Sequence, residues 1–169
     1  MNTIIVDNFF DNFENIEQSF KNIKRYSCEE YTPLFGDNGK WTGFRSQDIF
    51  YTDRFLFNLV LKEMNQKINH NLKKIWMSCH THLRLNENKE PIENIHKDPC
   101  YATLIVFLSK TNLKSGTCLF DENQNLTTTV NFVQNRAVIF KSDTFHSSLY
   151  NHGESIEDGR LTLNAFIYV

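Results

Sequence analysis

Two periods organise the apolar residues of this chain. Over the first 74 positions they recur at helical spacing, and from Ile75 onward the period falls to two. Thr3-Ile4-Ile5-Val6 reads as a short strand, and positions 7–11 turn the chain. Phe13, Ile16, Phe20 and Ile23 follow 3-4-3 spacing, which predicts a helix from a cap at Asp11 or Asn12 to about Arg25. A second helix starts at Thr52 or Asp53, with Phe55, Leu59, Met64 and Ile68 as its buried stripe. Between them, positions 26–50 carry Pro33, Gly36, Gly39 and Gly43 and read as irregular.

In 75–85, Ile75, Met77, Cys79, Thr81, Leu83 and Leu85 share one face. Trp76, Ser78, His80, His82 and Arg84 share the other. The last segment repeats the device: Arg160, Thr162 and Asn164 oppose Leu161, Leu163, Ala165 and Ile167. Positions 101–109, 117–120, 127–132 and 137–140 read as further strands, with Ser115-Gly116 as a turn signal. The expected fold is α+β. Apolar strand faces pack on the two helices, and polar faces look into a cavity between two sheets. Many short strands closing a two-sheet barrel form a jelly-roll, cupin-like core, here with the N-terminal helices packed on one sheet. One domain is expected over 1–169, with a helical support region at 1–74 and a β core at 75–169.

Composition narrows the classes. At 169 residues, 40% hydrophobic and 22% charged, the chain can bury a substantial core and does not have a disordered composition. A net charge of -2 gives no electrostatic reason to expect nucleic-acid binding. No apolar run approaches the roughly 20 residues of a membrane helix, and no stretch has the basic flank and apolar run of a signal peptide. Cys28, Cys79, Cys100 and Cys118 are widely spaced without CxxC pairing, so they read as free thiols in a reducing cytoplasm.

The candidate chemistry lies in the β half. In His96-Lys97-Asp98, residues i and i+2 of an extended strand point to the same side. His146 follows the apolar run Ala137-Val138-Ile139-Phe140 and can complete the set from another strand. Two histidines and one carboxylate are the facial ligand set of non-haem Fe(II), which leaves positions open for a cosubstrate and oxygen. Arg160 opens a segment whose polar face continues through Thr162. Its planar donor fork matches a carboxylate bidentately, and the threonine can add a hydroxyl donor. The plain alternative is a surface cation at a strand edge. His80 and His82 could also bind a metal, but no carboxylate accompanies them, so they read as cavity wall together with Arg84. Arg45 is either a substrate contact or a solvated loop arginine. His70 and His152 read as surface histidines.

Taken together, His96-x-Asp98, His146 and Arg160-x-Thr162 resemble the 2-oxoglutarate/Fe(II)-dependent oxygenases with a double-stranded β-helix core. Asn135–Ser147 looks like the segment that delivers the distal histidine, and Gly159-Arg160-Leu161-Thr162-Leu163 looks like the strand that carries the cosubstrate arginine. The run CYATLIVFLS from Cys100 is similar to the strand after the HxD motif in the prolyl-hydroxylase-like branch. The opening Ile4-Ile5-Val6-Asp7-Asn8-Phe9-Phe10 and Gly43-Phe44-Arg45-Ser46 suggest the small phage and bacterial members.

The resemblance implies Fe(II) held by His96, Asp98 and His146, and 2-oxoglutarate held by Arg160 and Thr162. It also implies O2 consumption, decarboxylation to succinate and substrate hydroxylation. Asp98 argues against halogenation, because related halogenases leave that coordination position open. Two departures stand out. Phe107 occupies the place where some prolyl hydroxylases have a cosubstrate-binding tyrosine, so Thr103 is the candidate contact instead. An insertion-like stretch at 86–94 precedes His96. Two rivals remain open on sequence alone: a non-catalytic cupin-like metal-binding module, and a zinc hydrolase using the same triad. The substrate is a small molecule or a peptide of unread identity, with Arg45, His82 and Arg84 as candidate contacts. Positions 31–46, with Trp41, Phe44 and Arg45, are a candidate lid over the cavity mouth.

Overall fold

The structure is a computed structural model that describes residues 2–36, 41–68, 74–84 and 92–168. Leu85, His70, Gly39 and most of the 86–94 stretch fall outside the described residues, as do 37–40 of the candidate lid. The N-terminal part contains β1 (Ile4–Val6), α1 (Phe13–Asn22), β2 (Arg25–Ser27), α2 (Cys28–Phe35), β3 (Phe44–Ser46), α3 (Ile49–Thr52) and α4 (Arg54–Ile68). Then follow β4 (Lys74–His82), β5 (Ile92–His96), β6 (Ala102–Phe107), β7 (Asn112–Phe120), β8 (Leu126–Phe132), β9 (Ala137–Lys141), β10 (Phe145–Leu149) and β11 (Arg160–Tyr168). They form two antiparallel sheets: seven strands in the order β1-β9-β6-β11-β4-β3-β2, and four in the order β5-β10-β7-β8. No helix among the described residues is long and apolar enough to cross a membrane.

Strand alternation sorts the side chains into three layers. Met77 and Cys79 of β4, Leu104 and Val106 of β6, Ile139 of β9, and Leu163, Ala165 and Ile167 of β11 pack with the helices in one large core. The opposite faces of β6 and β9 place Ile105, Phe107, Val138 and Phe140 against Leu119, Val130 and Phe132 of the small sheet. The space between the sheets is therefore apolar at one end. At the other end, β4 and β11 present polar residues instead. β6 is buried on both faces, which explains its unbroken apolar run.

Several sequence expectations are corrected. Helix α1 ends at Asn22, because Arg25–Ser27 leaves to pair with β3. The stretch expected to be irregular holds two short strands and two helices. Pro33 lies within α2, and the helix stops at Gly36 in a left-handed C-cap. The N-terminal part is not only helical support, since β1, β2 and β3 all join the large sheet. On α4 the expected Met64 and Ile68 are buried, but the first half of the stripe is shifted by one residue. Leu56, Val60, Met64 and Ile68 are buried, whereas Phe55 is 71% exposed. Three adjacent apolar residues, Phe55, Leu56 and Phe57, satisfy the helical period in more than one phase. Ser115 and Gly116 are not a turn but the interior of β7, at a register shift against β8.

Gly43 fixes the approach to β3. It has φ +79°, and a Cβ there would collide with the Thr81 carbonyl oxygen of β4. Gly43→Ala is therefore expected to destabilise the protein by about 2 kcal/mol or more through strain and clash. Chemical denaturation checks this, and a change within about 0.5 kcal/mol would show that the strand pair yields freely.

Candidate active site

The three proposed ligands meet at one end of the small sheet. His96 ends β5 and His146 lies on β10, and the two are direct cross-strand partners. Their rings are 4.3 Å apart between centroids. Asp98 follows two residues after His96, and its backbone N–H donates to the Ser142 carbonyl. Asp98 oxygens lie 3.3 Å from His146 Nε2 and 3.7 Å from His96 Nε2. Neighbouring ligands about 2.1 Å from an octahedral ion are roughly 3.0 Å apart, so these spacings suit a first-row metal after a small closure. Among the described residues, this triad is the one group of His, Cys, Asp and Glu side chains spaced to hold an ion.

The tautomers also fit. His96 Nδ1 bonds the Asn94 carbonyl at 2.8 Å, and His146 Nδ1 bonds the Thr144 carbonyl at 3.1 Å. A carbonyl can only accept, so each Nδ1 donates its proton there, and Nε2 is the ring atom that faces Asp98. Burial alone would raise the Asp98 carboxyl. The contacts from His146, the Thr103 hydroxyl and His96 outweigh it, and the group stays below its ordinary range, ready to ligate.

Thr103, the candidate cosubstrate contact, is not among the residues that line the cavity. It is buried, and its hydroxyl donates to Asp98 Oδ2 at 2.6 Å while bonding Ser142 at 2.9 Å. It fixes the carboxylate. Thr103→Val is expected to lower metal affinity by about 10–100-fold, the range typical for partners of a metal ligand. Metal titration by calorimetry checks this, and unchanged affinity would reduce Thr103 to packing.

Arg160 and Thr162 line the same cavity as the triad, which measures about 890 Å³. Arg160 is 3% exposed. Its Nη2 donates to the Gly116 carbonyl at 3.0 Å and to the Thr117 hydroxyl at 3.3 Å, and its Nε has no partner. The guanidinium lies 5.7 and 5.3 Å from the Phe107 and Phe132 ring centroids, and these rings stack on each other. Phe107 does not line the cavity but backs the guanidinium from the apolar side. Burial pushes Arg160 down to about 10, so it remains a cation at neutral pH. No carboxylate pairs with it among the described residues. A buried cation with an unused donor beside a cavity has the chemistry to pair with an anion. The Thr162 hydroxyl donates to Asn164, and Thr117, which the sequence did not single out, is the hydroxyl nearest the guanidinium.

The remaining candidates divide. His80 and His82 face the cavity, directly opposite Thr162 and Arg160 across the β4–β11 pair. Burial, then nearby arginine charges, pushes His80 well below its ordinary value and His82 down to about 3, so both are neutral. Arg84 lies beyond β4, exposed, and is not on the cavity wall. Arg45 is on β3, not in a loop, and it reaches the cavity with Trp41 and Thr42. Phe44 does not line the cavity. His152 is not a plain surface residue. It is half-buried with its ring edge-on to Phe132, and burial and the Arg160 charge lower it. No signal in the sequence marked His152 or Ser142, because their roles come from contacts with distant strands.

No protein-family model matches the chain, and no curated protein matches its sequence. Solved structures do match its fold. SnoN, a non-haem alpha-ketoglutarate-dependent epimerase from nogalamycin biosynthesis, aligns with TM-score 0.67 at 9% identity, covering 98% of this chain and 78% of that one. An oxidoreductase of the 2OG-Fe(II) oxygenase family from Burkholderia pseudomallei gives 0.65 at 9% identity, covering 98% and 84%. A Pseudomonas putida prolyl-4-hydroxylase gives 0.61 at 10% identity, covering 99% and 92%. The chain therefore has the fold of the 2OG-Fe(II) oxygenases. Identities near 10% carry the fold and not the reaction, and the neighbours themselves include an epimerase and a hydroxylase.

Proposed function

We propose that this protein is an Fe(II)- and 2-oxoglutarate-dependent dioxygenase that hydroxylates a small organic substrate. The observation that carries the reading is the pairing, in one cavity, of a preset His96/Asp98/His146 ligand set with the buried, carboxylate-free Arg160 cation. The strand arrangement supports it. From β4 to β11, four strands fall in each sheet, in the orders β9-β6-β11-β4 and β5-β10-β7-β8, which supports reading the core as a double-stranded β-helix. We read residues 1–169 as one such domain. Four thiols outside any disulfide fit a reducing cytoplasm.

His96, Asp98 and His146 would hold the iron, and Arg160 with Thr117 and Thr162 nearby would hold the distal carboxylate of 2-oxoglutarate. Bound iron supplies oxygen activation coupled to decarboxylation of 2-oxoglutarate to succinate. The chain does the rest. Thr103 and the two backbone carbonyls fix the ligand atoms, Arg160 fixes the length of diacid accepted, and Phe107 and Phe132 exclude water around that ion pair. The neutral His80 and His82 keep the wall from competing for the metal-bound anions. A zinc hydrolase or a bare metal-binding module would give the buried Arg160 no role. Anaerobic titration with Fe(II) and 2-oxoglutarate, followed by succinate measurement, tests the reading. Tight 2-oxoglutarate binding that depends on both the metal and Arg160 is expected, and binding that ignores either would refute it.

A further inference from the structure

Asp98 is tied to one residue of another segment through both its backbone and its side chain. Its N–H donates to the Ser142 carbonyl at 3.1 Å. Its Oδ2 accepts from Thr103, whose hydroxyl meets the Ser142 hydroxyl at 2.9 Å. Ser142 is fully buried and follows Lys141, the last residue of β9. Its own N–H donates to the Tyr101 carbonyl at 3.2 Å, next to the start of β6. The turn into β10 begins at the same place. The Thr144 N–H closes that turn on the Lys141 carbonyl at 3.0 Å, and the Thr144 carbonyl accepts from His146 Nδ1. Ser142 therefore stands where the loop of one ligand meets the turn that orients another.

The proton count gives the side-chain contacts a direction. A hydroxyl has one proton, and a carboxylate can only accept. The Thr103 proton is thus committed to Asp98 Oδ2 at 2.6 Å. The contact between Thr103 and Ser142 is then a hydrogen bond only if Ser142 donates. That commits the Ser142 proton in turn, so the Cys100 thiol, 2.8 Å from Ser142 Oγ, is left as the donor there. The Ala102 carbonyl, at 3.4 Å, is the more distant acceptor for the same thiol. The result is one relay, Cys100 to Ser142 to Thr103 to Asp98, in which every proton points toward the carboxylate. A donor that itself accepts a hydrogen bond is polarised and donates more strongly. Ser142 and Thr103 are 0% and 1% exposed, so solvent cannot stand in for either hydroxyl.

We propose that Ser142 is a positioning residue of the metal site, whose hydroxyl holds the Asp98 carboxylate in its ligating orientation by acting through Thr103. This rests on the reading of His96, Asp98 and His146 as metal ligands, and it adds a residue that touches neither the ion nor a substrate. The hydroxyl and the backbone carbonyl of Ser142 are separate supports, so side-chain substitution isolates the first.

A double-mutant cycle on metal affinity tests this. Wild type, Ser142→Ala, Thr103→Val and the double variant are titrated with Co(II), which accepts the same ligand types. Calorimetry gives the affinity, and the visible absorption of bound Co(II) reports the ligand geometry. Ser142→Ala should weaken Co(II) binding about tenfold, the lower end of the range for partners of a metal ligand, and should shift the Co(II) bands. On the Thr103→Val background the same change should weaken binding by less than about twofold and leave the bands in place, because the relay is already cut. Ser142→Cys keeps a weaker donor and should fall between serine and alanine. It takes the place of alanine in the cycle if Ser142→Ala does not fold. Unchanged affinity in Ser142→Ala would overturn the proposal. An equal loss with and without the Thr103 hydroxyl would also overturn it, since Ser142 would then support the site by packing alone. Wild-type protein that does not bind Co(II), or Asp98→Ala protein that binds it as wild type does, would instead overturn the metal reading and this proposal with it.

Discussion

Asp98→Ala is expected to weaken Fe(II) binding by more than about 100-fold, beyond what partners of a ligand account for, and to abolish succinate formation. Asp98 is the only carboxylate in the triad and the group toward which both Nε2 atoms turn. Without it, two neutral imidazoles are left to hold a dication. The fold should persist, because Asp98 lies outside the large apolar core and its loss does not orphan its main partner. Thr103 keeps its bond to Ser142. Anaerobic metal titration and a thermal melt of the metal-free protein measure the two halves. A variant that keeps wild-type metal affinity would remove the triad from the account, and one that unfolds would show that Asp98 is structural.

Arg160→Met should act on function and stability in opposite directions. The affinity for 2-oxoglutarate should fall by about 1–3 kcal/mol, or roughly 5- to 150-fold, for the loss of a charge-assisted hydrogen bond. Arg160→Lys should lose much of the same, since an ammonium cannot reproduce the bidentate fork. Stability should rise instead. Burial lowers Arg160 from 12.5 to about 10, a penalty on the cation on the order of 3 kcal/mol. Its acceptors are a carbonyl and a hydroxyl rather than a carboxylate. An apolar side chain of similar length between Phe107 and Phe132 avoids that penalty, so the metal-free variant should melt higher by about 1–2 kcal/mol of stability. Calorimetric titration and denaturation on the same sample test both signs. A variant that binds 2-oxoglutarate normally would exclude Arg160 as the anchor, and one that is destabilised would mean that the cation is structural. A site that gives up stability to keep a charge buried is the pattern expected of binding machinery.

The neighbours in fold run different reactions, an epimerisation and a hydroxylation among them. What separates such outcomes must lie in the cavity wall. In this chain Trp41, Arg45, His80 and His82 line that cavity.

The sequence alone marked the candidate ligand set and the layering. His96-x-Asp98 was legible because extended backbone returns every second side chain to the same face, so two ligands need only two residues of spacing. The alternation along 75–84 and 160–168 was legible for the same reason: one face meets the helices and the other meets water or ligand. Tertiary structure decided what depends on phase and on distant partners. The run Phe55-Leu56-Phe57 fits a helical stripe in more than one rotation, and only packing on the sheet chose Leu56. Ser115-Gly116 has turn chemistry, yet Gly116 lies where a Cβ would strike the backbone of β8, so the pair serves a close strand approach. Thr103 was legible as a polar residue on a strand face, but its bond to Asp98 depends on a turn between them. The short elements from Arg25 to Thr52 are held by β3 pairing with β4 and β2, by α3 packing on β4 and, for α2, by the Ser27/Glu30 capping box, not by an amphipathic period. They therefore left no periodic trace, although they carry Arg45 and Trp41 to the cavity rim.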